Sequence, residues 1–78
     1  MGYLLDLQEI EDVLNDISEL SWQHQRLADD LLFNLEGARY NESGLRQLKE
    51  SAQLHVQEFG ELDLWDLYWA IKDLDWNR

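Results

Sequence analysis

The chain has 78 residues, 45% of them hydrophobic and 12% aromatic, which is enough for one folded domain with a modest core and argues against disorder. Seventeen acidic side chains stand against six basic ones, a formal net charge of −11. A charge of this sign disfavours direct binding to nucleic acid or to an anionic membrane, and it favours a partner with a basic surface.

The first predicted element is a long helix. Apolar or small residues recur every three or four positions and form one seam: Leu7, Ile10, Leu14, Ile17, Ser21, His24, Ala28, Leu31, Leu35 and Ala38. Because the seam keeps its phase across Ser18 and Ser21, it predicts one continuous helix over residues 5–38, with a kink or break near residue 20 as the alternative.

The second element is an antiparallel partner of the first. Gly37, Asn41, Ser43 and Gly44 mark a turn, which is predicted over 39–43 and is followed by a helix over 44–59. Its seam residues match the first seam in size when the two are laid antiparallel: Leu31 meets Leu48, Ala28 meets Ala52 and His24 meets His55. This register predicts an αα-hairpin that continues to Leu62.

The third element is a short helix rich in tryptophan. Gly60 suits the position just past a helix end, and Asp63 suits a helix cap, so a third helix is predicted over 63–76. The fold class is therefore all-α: a long N-terminal helix, an antiparallel second helix and a short Trp-rich third helix in one domain.

Charge is concentrated at the two ends of the chain. Residues 1–20 hold six acids and no base, residues 57–78 hold six acids and two bases, and the middle holds five acids and four bases. If the third helix packs on the start of the first, the two terminal segments meet. The sequence thus predicts an acidic end of the molecule and a nearly neutral turn end.

One row of acids stands out. Glu9, Asp12, Asp16 and Glu19 fall at helical spacing opposite the apolar seam, with successive charges about 4.5–6 Å apart along the axis. A solvated helix face explains such a row without any function. The alternative is imitation of a phosphate backbone, and it is favoured because unmixed acids at this spacing destabilise a helix.

The tryptophans form two candidate patches. Trp65, Trp69 and Trp76 share one stripe of the third helix, which is read either as packing against the first helix and Tyr3 or as an anchor for a partner. Trp22 and Phe33, with Arg26 between them, form a smaller patch off the main seam.

Sequence signals of an enzyme are missing. The paired carboxylates lack an apolar pocket, and no nucleophile with a placed base, phosphate loop or metal-ligand cluster is present, so no catalytic residue, metal or cofactor is expected. His24 and His55 are expected to face each other as a polar layer, with a pH-sensitive repulsion as an alternative. The lack of cysteine and of a long apolar run fits a cytoplasmic protein.

These observations favour a non-enzymatic inhibitor or decoy that docks on a basic, nucleic-acid-binding surface of another protein. Small acidic proteins of phage or mobile-element origin that block restriction enzymes or CRISPR effectors are of this physical type, although no family motif links this chain to them. The alternative is a structural, assembly or regulatory subunit, such as a homodimer or an antitoxin-like partner. The candidate partner-binding residues are Glu9, Asp12, Asp16, Glu19, Glu58, Glu61, Asp66, Trp65, Trp69, Trp76 and Trp22.

Overall fold

The computed structural model describes residues 3–76 as four α-helices: α1 (Tyr3–Ile17), α2 (Trp22–Ala38), α3 (Glu42–Phe59) and α4 (Asp63–Lys72). Each helix packs on the next one and α4 also packs on α1, which closes an up-down-up-down bundle. The predicted all-α class and the hairpin of α2 and α3 are confirmed. Within residues 3–76, no helix combines the length and the apolar composition needed to cross a membrane.

The continuous helix over 5–38 is wrong, and the break near residue 20 is what occurs. The chain leaves α1 through tightened turns at residues 18–20, and Ser21 adopts an extended backbone with φ −163° and ψ 171°. The Ser21 side chain then accepts a hydrogen bond from the His24 backbone N–H and caps α2. The chain reverses here, so that α1 lies antiparallel to α2 and the Tyr3 hydroxyl donates to the Ala38 carbonyl at 2.8 Å. Burial raises the pKa of this hydroxyl.

We expect Ser21→Ala to lower the free energy of unfolding by about 1 kcal/mol, because α2 loses its side-chain cap. Ser43→Ala is the matched control, since Ser43 is exposed and the cap of α3 comes from Asn41. Urea denaturation followed by circular dichroism measures both. Equal stability of the two variants would contradict the assignment of the cap.

The hairpin of α2 and α3 follows the predicted seams near the turn and departs from them at the other end. Gly37 and Gly44 are not turn residues; they lie inside α2 and α3, where the two backbones approach most closely. At the far end the His24 ring packs on Phe59, with centroids 4.6 Å apart, one helical turn beyond the predicted partner His55. As a result, Leu62 is 82% exposed instead of buried.

The third predicted helix is α4, and its bounds differ from the prediction. Gly60 ends α3 with φ +75°, as expected of a glycine in this position. Asp63 is not the cap, because the backbone is already helical at Leu62 and Asp63 lies in the first turn. The helix ends at Lys72 and not at residue 76, and the Lys49 ammonium donates to the Leu74 carbonyl that follows it.

The core is a single cluster of apolar side chains drawn from all four helices and from the segment after α4. Leu7 and Leu14 of α1, Leu31 of α2, Leu48 of α3 and Ile71 of α4 are all fully buried. The apolar seams of α1 and α2 both face this core. The spacing of apolar residues in the sequence therefore continues across the break, even though the chain reverses there.

Candidate partner-binding surfaces

The reversal at residues 18–21 changes the predicted charge distribution. Because α1 lies beside α4 in the bundle, the exposed acids of these two helices lie along one side of the molecule and are not gathered at one end. We call this surface the acidic face and define it by the exposed carboxylates of α1 and α4: Asp6, Glu9, Asp12, Asp16, Asp63, Asp66 and Asp73.

A shallow groove of about 250 Å³ lies on this face between the N-terminal half of α1 and the C-terminal end of α4. Asp6 and Glu9 line it from α1, and Ala70 and Asp73 line it from α4. The two helices are antiparallel, so Asp12 and Asp16 continue along the row towards the start of α4. Glu19 lies exposed in the turn after α1.

Four acids form ion pairs within residues 3–76: Glu11, Asp30, Glu36 and Glu61. Glu11 pairs with Arg39 across α1 and α2, and Glu61 pairs with His24, with a distance of 3.1 Å between Oε2 and Nε2. No carboxylate of the acidic face forms an ion pair with any residue between 3 and 76. Of the predicted carboxylates, Glu61 is therefore used within the fold, and the others form no ion pair within residues 3–76.

The predicted tryptophan stripe is divided by the structure. Trp76 lies beyond α4 and packs edge-to-face on Tyr3, with ring centroids 5.2 Å apart. Trp65 is partly buried against the core and meets Tyr68 edge-on. Trp69 is 52% exposed, and only this tryptophan of the stripe offers a large free surface.

Trp69 belongs to the acidic face by its position on α4. Asp66 precedes it by three residues and Asp73 follows it by four, so the three side chains share one side of the helix. The Lys72 ammonium lies 5.5 Å from the centre of the Trp69 ring and holds it by a cation–π contact. The acidic face thus contains one aromatic side chain of the kind that anchors protein interfaces.

Trp22 and Glu58 lie elsewhere. They line a larger groove of about 810 Å³ between α2 and α3. In a closed four-helix bundle the α2–α3 side is opposite the α1–α4 side, so these two residues cannot contact the same flat partner as the acidic face. The predicted site residues therefore fall on two opposite surfaces.

The predicted histidine layer is wrong. His24 bonds to Ser21 through Nδ1 and to Glu61 through Nε2, whereas His55 bonds to Asp30. Each imidazole has a carboxylate beside it and not a second imidazole. The two imidazoles therefore do not face each other, and the repulsion proposed for low pH has no structural basis.

Some residues of these surfaces are missing from the sequence-based site. Asp6, Asp63 and Asp73 belong to the acidic face, and helical spacing from Glu9 and Asp66 was the signal that could have found them. In residues 3–76, no cluster of three or more His, Asp or Glu side chains is arranged to hold a metal ion. Comparison of the chain with protein-family models, curated proteins and solved structures found no match.

Proposed function

We propose that this protein is a non-enzymatic inhibitor that docks its acidic face on a basic, nucleic-acid-binding surface of another protein. It would act in the cytoplasm as a nucleic-acid mimic of the phage or mobile-element type, directed against a restriction enzyme or a CRISPR effector. The observation that carries the proposal is the set of exposed acidic-face carboxylates that form no ion pair within residues 3–76.

The geometry of the charges supports mimicry. Acids three or four residues apart on a helix lie about 4.5–6 Å apart along its axis, so α1 presents a linear row of negative charge. The acids of α4 add a second row across the groove. Packed helix axes are about 8–10 Å apart, a separation between the widths of the minor and major grooves of B-DNA, about 6 and 12 Å.

The energetics also support it. Glu9, Asp12 and Asp16 repel one another along α1, and the negative end of the helix dipole is close to Asp16. The described part of α1 contains no basic residue to offset this repulsion. A basic partner would relieve it on binding, and the charge would speed the encounter.

The proposal predicts a strong dependence on salt. We expect the protein, immobilised at low salt, to capture purified nucleic-acid-binding effectors such as restriction endonucleases and CRISPR nucleases. Raising the salt from 0.05 to 0.5 M should slow association by about tenfold or more, since exposed charges are then screened within a few ångströms. Capture that is indifferent to salt would contradict the electrostatic proposal.

The alternative, an assembly subunit that uses the tryptophan stripe, makes a different prediction. It requires the isolated protein to be a dimer or larger and Trp69→Ala to dissociate it. Because Trp65 and Trp76 pack within the bundle, the stripe offers little more than Trp69 for such an interface. Sedimentation of the wild type and of Trp69→Ala distinguishes the two functions.

A further inference from the structure

The groove between α2 and α3 has a composition unlike that of the acidic face. We call it the aromatic groove; it is lined by Trp22, Arg26, Asp29, Phe33, Glu58 and Phe59, among others. Phe33 is 78% exposed and Trp22 is 63% exposed, whereas Phe59 is partly buried at the floor. Two large aromatic side chains thus remain in solvent on one surface, as is typical of a binding site.

The aromatic groove is elongated. Trp22 and Phe33 are eleven residues apart on α2, which places them about 16 Å apart along the axis and within about 20° on the helical wheel. Arg26 and Asp29 lie between them on the same side of the helix. The groove therefore has an apolar anchor point at each end and a charged middle.

The charge of the middle favours a basic occupant. Asp29 and Glu58 line it, and the carboxylate of Asp30 is already bonded to His55. Arg26 is the one Lys or Arg side chain among the lining residues, and the net charge of −11 adds a negative potential over the whole molecule. A second copy of this chain would bring the same net charge and be repelled.

The two helices that line the groove indicate the secondary structure of the bound segment. Both walls are helices, whose backbone groups are hydrogen-bonded internally, so they offer no edge to an extended strand. A groove between two antiparallel helices accepts a third helix through its side chains. A segment of about three turns is long enough to reach both anchor points.

We propose that the aromatic groove is a second binding site, and that it takes a helical segment of another protein. This segment carries two apolar side chains about three turns apart, which contact Trp22 and Phe33, and Lys or Arg between them, which meets Asp29 and Glu58. The site lies opposite the acidic face, so both surfaces can be occupied at once.

A displayed library of 15-residue helix-forming peptides, with one side randomised among apolar, basic and acidic residues, tests this proposal. We expect selection on the wild type to enrich peptides with two apolar anchors and a basic centre. Their affinity should fall by about tenfold or more for Phe33→Ala and Trp22→Ala, the range for loss of an interface anchor. Both side chains are mostly exposed, so these variants should unfold at nearly the wild-type temperature.

Two control variants keep the outcome specific. Tyr40→Ala removes an equally exposed aromatic that does not line the groove, and it should leave peptide binding unchanged. Reversal of the acidic row, with Asp12, Asp16 and Glu19 changed to Lys, should change the peptide affinity by no more than about threefold. It affects only the long-range attraction, which salt screens.

Several results would overturn the proposal. These are the failure of any peptide to be enriched, enrichment of acidic centres, or retained binding to Phe33→Ala. Loss of peptide binding on reversal of the acidic row would assign the peptides to the acidic face instead. A wild-type dimer that Phe33→Ala dissociates would show that a second copy occupies the groove. None of these results bears on whether the acidic face binds an effector.

Discussion

Gly44→Ala is expected to lower the free energy of unfolding by about 3 kcal/mol, the upper end of the usual cost of overpacking. A Cβ atom at this position would lie 2.2 Å from the Gly37 carbonyl oxygen and 2.8 Å from the Ala38 amide nitrogen. These are backbone atoms of α2 and cannot rotate away, so the two helices would have to separate. For a domain of this size the midpoint of thermal unfolding should fall by roughly 12–24 °C.

Gly37→Ala is the matched control, because it places the same methyl group on the opposite helix at the same crossing. Its nearest neighbour would be the Gly44 Cα at 3.8 Å, an ordinary contact. Alanine is also the better helix former, so this variant should be stabilised by about 0.5 kcal/mol. If Gly44→Ala unfolds at the wild-type temperature, the close approach of α2 and α3 is wrong.

The second large effect is on binding. Changing Asp12, Asp16 and Glu19 to Lys should weaken capture of a basic effector by at least about 100-fold, since like charges brought together at an interface cost several kcal/mol. The same change should stabilise the isolated protein by about 1 kcal/mol, because it removes repulsion along α1 and places a cation near the helix C-terminus. Affinity and stability should therefore move in opposite directions.

A variant with Glu36, Glu42 and Glu50 changed to Lys controls for net charge. These three residues are exposed on α2 and α3, and their reversal shifts the net charge by the same six units. We expect it to weaken binding by less than about tenfold, through the loss of long-range attraction alone. Equal weakening by the two variants would mean that overall charge, and not the acidic face, governs binding.

Most of the helical pattern follows from the sequence alone. The spacing of apolar residues predicts the buried positions Leu7, Leu14, Leu31 and Leu48, and Gly60 marks the end of α3. These predictions are correct because buried positions recur with the helical period of 3.6 residues and because a left-handed backbone conformation favours glycine.

The reversal after α1 could not be predicted from the same pattern. A straight helix and a pair of helices that face one core give the same periodicity, so phase alone cannot separate them. The local signals were Ser18 and Ser21, either of which could begin a new helix; in the structure Ser21 caps α2. Weighting these signals above the phase would have given four helices.

This single error had consequences for the candidate site. With α1 extended to residue 38, Trp22 and the α1 acids belong to a single helix. With α1 folded back, the acids lie beside α4, and Trp22 and Glu58 lie on the opposite side of the bundle. The predicted pairing of His24 with His55 is also wrong, because it assumed that paired positions keep a constant spacing along the whole hairpin.

We propose that the acidic face occupies the nucleic-acid site of its partner. Fluorescence anisotropy of a labelled DNA or guide-RNA ligand, bound to a captured effector and titrated with this protein, measures that claim directly. We predict that the wild type displaces the labelled ligand competitively, so that more protein is needed as the ligand concentration rises. The variant with Asp12, Asp16 and Glu19 changed to Lys should not displace the ligand. A ternary complex that retains the labelled nucleic acid at saturating protein would show that the acidic face does not occupy the nucleic-acid site.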